Sequence, residues 1–191
     1  MEPLTAPELI FHAVRNAQYH TARRRSLERW NRYATALSVL LGGAVMVDVA
    51  GKAGLDIVWI GAATAVVGVA QLVFDFAGRA RIHETLQRRY YDLLAAMRRA
   101  VAPDTAELAE WNATLAQIYG DEPPVEPIAD AIAYNAAGNA LGMEASESLV
   151  IPFRLRFFAL LGAGASHRFE TRAERQARRD ARPWLLRWWP C

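Results

Sequence analysis

Cysteine and lysine are almost missing from this chain. Among its 191 residues the one cysteine is Cys191, the last position. That excludes an internal disulfide and any metal site built from several thiolates. Lysine occurs once, at Lys52, so nearly all of the 22 basic residues are arginine. No glycine-rich phosphate loop, GxSxG, HExxH or paired cysteine is present. His12, His20, His83 and His167 are scattered. His12 and His20, eight residues apart, can share one helical face, yet two imidazoles do not make a metal site. The sequence therefore predicts no enzyme, no catalytic residue, no metal and no cofactor. Period-two alternation is also missing beyond a few residues, so strands are not expected.

What the chain does have is apolar length. Tyr33–Ala50 and Ile57–Phe76 stand almost back to back, separated by GKAGLD. A helix needs roughly 17–25 residues to cross a bilayer core. Arg23, Arg24, Arg25, Arg29 and Arg32 precede the pair, and Arg79, Arg81, Arg88 and Arg89 follow it. Arginine on the outer flanks predicts both termini in the cytoplasm and the short loop outside, in a multi-pass protein of the inner membrane. Trp30 sits where an inner aromatic belt is expected. The expected fold class is an all-α membrane protein: a two-helix transmembrane hairpin with a cytoplasmic helical bundle.

The chain divides accordingly. Residues 1–32 read as a basic amphipathic helix, 33–50 and 57–76 as the spans, and 51–56 as an external loop. Residues 77–142 read as a cytoplasmic helical region, and 143–191 as a basic, tryptophan-rich segment for the membrane surface. Leu9, Ile10, Ala13, Val14 and Ala17 form one apolar stripe. Ile82, Leu86, Tyr90, Leu93, Leu94, Met97 and Val101 form another. Asp104 with Glu107 resembles a capping box, and Leu108, Trp111, Leu115 and Ile118 follow it. Pro127 sits at the first turn of a helix running to about Leu141.

Several polar and small residues are candidates for a pore lining or for helix contacts. Asp48 either marks the outer boundary, paired with Lys52, or joins a ring of carboxylates at a pore mouth. Asp75 can pair with Arg79 one turn on. The Gln71 amide is expected to face another helix rather than lipid. Gly61, Thr64 and Gly68 supply small-residue spacing for close helix approach. Two spans cannot enclose an aqueous path alone, so conduction requires a homo-oligomer. At the far end, Trp184, Trp188 and Trp189 around Arg187 suit a lipid headgroup region better than nucleic acid.

Two adjacent spans, an arginine-rich helix leading in, Asp121-Glu122-Pro123-Pro124 and then a helix with Asn135 together resemble the SLATT group of prokaryotic two-span proteins. That resemblance covers about Arg15–Gly142. It implies a pore-forming or membrane-disrupting effector of a bacterial anti-phage or prophage conflict system, with a sensor or regulatory protein encoded nearby. It carries over no catalytic residue. Read from the residues alone, Asp121–Pro124 is a rigid corner or a ligand contact, and Asn135 is a bundle-fixing amide or a surface group. Two other readings of the hairpin are a non-conducting membrane-anchored scaffold or regulator and a holin-like lysis protein. The lipid bilayer is the partner common to all three.

Overall fold

Short-range chemistry sets where the helices of this chain start and stop. The computed structural model describes residues 4–43, 49, 51–54, 56–158 and 168–181. Helix α1 spans Ala6–Gly42. Its first turn is closed by Glu8, whose carboxylate accepts from the Thr5 backbone N–H at 2.9 Å and the Thr5 hydroxyl at 2.7 Å. Those two bonds hold the Glu8 carboxyl below its ordinary range, the backbone bond contributing most. Helix α2 spans Ile57–Phe74 and begins at Asp56, whose side chain accepts from Val58 N–H at 3.0 Å. Helix α3 follows directly, at Phe76–Arg99.

Asp75 separates α2 from α3 by two devices. Its backbone turns left-handed, at φ 40° and ψ 55°, and its N–H still reaches Gln71 O at 3.1 Å. Its carboxylate then accepts from Gly78 N–H at 3.0 Å, capping the next helix. A Cβ at residue 78 would overlap that carboxylate, so glycine alone allows the cap. The expected pairing of Asp75 with Arg79 is replaced by this capping role.

Helix α4 spans Thr105–Gly120 and opens with the expected box: Glu107 N–H donates to Asp104 at 2.8 Å, and Asp104 N–H donates to Glu107 at 3.1 Å. Helix α5 spans Pro127–Leu141, with proline in its first turn. It ends on Gly142 at φ 77°, a conformation that costs glycine little. A single 3-10 turn, Ala145–Glu147, and the short helix α6, Phe153–Phe158, come next. Helix α7, Arg172–Asp180, starts with a second capping box, Thr171 with Glu174. Leu149 and Thr171 pair through one antiparallel bridge.

The chain forms two units. The first joins Met1–Ala22 to Leu86–Cys191; the second is the excursion Arg23–Thr85. The core of the first unit contains Leu9, Ala13, Val14 and Ala17 of α1 with Leu86, Tyr90, Leu93, Leu94 and Met97 of α3. Trp111, Leu115 and Ile118 of α4 and Ala137 of α5 complete it. Both predicted apolar stripes thus face this core, except that Ile82 and Val101 are exposed. Ile128, Ala131 and Ile151 form a smaller cluster beside α6.

The two-span hairpin predicted from sequence is corrected by the structure. Among the described residues a single helical run, Ile57–Arg99, is long and apolar enough to cross a membrane. The reason lies in α1. Its described part ends at Gly42, and the turns before Tyr33 carry Arg25, Glu28, Arg29 and Arg32. Any window long enough to cross takes in too many of these charges. Residues 44–48, with Asp48 among them, lie outside the described residues. The fold is helical as expected, but the multi-pass inner-membrane placement with both termini cytoplasmic loses its basis. So does the phage-defence pore, which requires two spans from every copy. The two-span scaffold and the holin-like reading rest on the same hairpin and go with it. The first unit is instead a bundle of packed, salt-bridged helices.

Candidate functional site

The corner Asp121-Glu122-Pro123-Pro124 is the anchor of the first unit. Two prolines after Glu122 prevent α4 from continuing and hold the chain extended until α5 begins. That places the Glu122 side chain inside the bundle. Its Oε1 lies 2.9 Å from His20 Nε2 and accepts from the Tyr90 hydroxyl. Asn16 Nδ2 donates to the same hydroxyl at 3.2 Å. The His20 ring stacks on Tyr90, with centroids 5.6 Å apart and planes 15° apart. His20 and Tyr90 are both 0% exposed. One carboxylate oxygen therefore joins α1, α3 and the corner.

Burial, then the bond to Glu122, pushes the Tyr90 hydroxyl far above its ordinary range. Ionising it would place a second negative charge beside a carboxylate in a poorly solvated interior. Tyr119 is raised too, chiefly by burial. His12, 3.4 Å from the Tyr119 hydroxyl, is lowered by burial and by the Arg15 charge. Around this cluster run ion pairs. Arg89 meets Asp121. Arg15 clasps Asp130 with both Nε, at 2.8 Å, and a terminal nitrogen. The Arg15 guanidinium also lies 5.6 Å from the Tyr134 ring centroid.

Asn135 has a clear place. Its amide donates to Leu149 O at 2.8 Å and accepts from Leu149 N–H at 2.7 Å. It mimics a strand partner and ties α5 to the segment leading to α6. In the buried cluster, Glu122 Oε1, His20 Nε2, the Tyr90 hydroxyl and the Asn16 amide are bonded to one another, as buried polar groups usually are.

The second unit shows the opposite character. Helix α2 is 18 residues long, has no charged side chain and buries none of its residues. Trp59 is 75% exposed and Leu72 84%. In α1, Tyr33, Val39 and Leu40 are exposed as well. Gln71 bridges these two helices: Ser38 donates to its Oε1 at 3.1 Å, and its Nε2 donates to Thr35 Oγ1 at 3.2 Å. The Gln71 amide thus faces another helix. Among the described residues Gly61 and Gly68 serve no close approach, since a Cβ at either meets nothing within 4 Å. Thr64 turns its hydroxyl back to Ile60 O at 2.9 Å.

At the apolar segment's charged end, Arg24 reaches Glu84 at 3.7 Å and Glu28 at 3.9 Å. Trp30 meets Tyr33 edge to face. Trp184, Trp188 and Trp189 lie outside the described residues. Sequence reasoning missed the His20–Glu122–Tyr90 cluster, whose members are far apart in the chain and share no motif. It also missed the Thr171 capping box, although Thr-x-x-Glu is its ordinary signal. No group of three or more metal-ligating side chains occurs among the described residues. No family model, no curated protein and no solved structure matches this chain, so the resemblance to the SLATT group rests on the corner and Asn135 alone.

Proposed function

We propose that this protein is a helical bundle that meets a lipid bilayer through the exposed apolar helix α2, Ile57–Phe74. The observation that carries the reading is α2, with 18 successive residues neither charged nor buried. Water does not tolerate so long an apolar surface without a cover. A core helix would be buried, and α2 is not. Lipid is the cover that also suits the ends of the segment. Trp30 and Tyr33 stand near one end, with arginines beyond them on both flanks.

Flotation of the full chain with phospholipid vesicles tests this. The protein is expected to rise with the vesicles and to resist alkaline carbonate. Val66→Arg with Leu72→Arg changes two exposed positions and leaves the bundle core intact. Each arginine costs about 2.5–3.5 kcal/mol at the centre of an inserted helix, so the double variant is expected at the bottom of the gradient. A wild-type chain that stays at the bottom as a monodisperse monomer overturns the reading. A wild-type chain that stays there as a defined oligomer assigns the surface to a second copy instead.

A further inference from the structure

The first unit carries an open cleft of about 570 Å³ that none of the roles above uses. That volume lies within the range of small-molecule sites, roughly 300–1,000 Å³. Its lining is apolar where Val14 and Ala17 of α1 meet Leu94 and Ala95 of α3. Two alanines there create the hollow, since neither fills the space that a leucine would. At one end stand Arg98 and Arg99, the last two residues of α3.

These arginines have a plain structural role, because cations at a helix C-terminus complement its dipole. That role needs neither the hollow nor the lack of an acid partner. Among the described residues no carboxylate forms an ion pair with either side chain. Two free guanidiniums beside an apolar hollow fit one ligand chemistry: an apolar body with an anionic head.

We propose that this cleft binds a single-chain amphiphile whose carboxylate or phosphate head is held by Arg98 and Arg99. The chain lies along Val14, Ala17, Leu94 and Ala95, and the head accepts charge-assisted bonds from the two guanidiniums. The source is either a free fatty acid or the headgroup end of a membrane lipid.

Dansyl-labelled undecanoic acid tests this with the full chain, followed by fluorescence with and without phosphatidylcholine nanodiscs. The uncharged methyl ester of the same probe is the control. Saturable binding of the acid at one site, and binding of the ester at least about tenfold weaker, are expected, because only the acid head accepts charge-assisted bonds from both guanidiniums. Arg98→Gln with Arg99→Gln should erase the preference for acid over ester, and Ala95→Trp should fill the hollow and weaken both probes. All three positions are exposed, so folding is preserved and is checked by circular dichroism. Replacing phosphatidylcholine with phosphatidylglycerol separates the sources. Loss of probe binding there marks a lipid headgroup as the occupant, and unchanged binding marks a free acid. Equal binding of acid and ester, or no change in either variant, overturns the proposal. Discrimination by a chain that stays out of the discs retains it and removes the bilayer reading.

Discussion

Glu122 offers one oxygen to two donors in an interior where neither has water to turn to. Glu122→Ala leaves His20 and the Tyr90 hydroxyl without that acceptor. Each donor stranded in this way costs about 1–3 kcal/mol, which urea unfolding followed by circular dichroism will measure. Tyr90 adds a pH dependence. Its folded pKa is raised above the ordinary 10.0, so the unfolded chain releases the proton first. The stability it contributes is whole below about pH 10 and is lost as pH rises towards the folded value. Tyr90→Phe should lower stability near neutrality and flatten its decline above pH 10. Little of this was legible in the sequence. The Asp-Glu-Pro-Pro corner was visible, but Glu122 as a hub was not, because its partners lie 102 and 32 residues away.

At the scale of elements, local chemistry was the readable part. The Asp104–Glu107 box, Pro127 and the apolar stripes on α1, α3 and α4 all follow from spacings of three and four residues. The hairpin failed for the opposite reason. The described part of the helix carrying Tyr33–Gly42 is charged through the turns before Tyr33, so it holds no window apolar enough to cross. The break between α2 and α3 was not legible either, since a left-handed Asp75 has no periodic signature. Gly78→Ala tests that junction. The added methyl should displace the Asp75 carboxylate and release its cap on α3, at a cost of about 1 kcal/mol. Amide hydrogen exchange is expected to quicken at Gly78 and its neighbours. Unchanged protection there would show that the carboxylate keeps its bond another way.

At the scale of the whole molecule, one chain holds two kinds of surface. The first unit buries a core drawn from α1, α3, α4 and α5, while α2 buries nothing. Composition averages these into a near-neutral hydropathy that describes neither. The Val66→Arg, Leu72→Arg variant separates them, because it should abolish vesicle flotation while leaving the urea midpoint of the bundle unchanged. Assembly of the first unit from both flanks also governs biosynthesis. Leu4 waits for Asn112, and Arg15 waits for Asp130. On the ribosome the leading half of α1 emerges as an orphan amphipathic helix, and the greasy stretch behind it arrives before any partner has been translated. The nascent chain thus exposes its most aggregation-prone surfaces together and early. A stop codon upstream of Asp104 therefore yields a product that lacks Trp111, Leu115 and Ile118, the α4 side of its core.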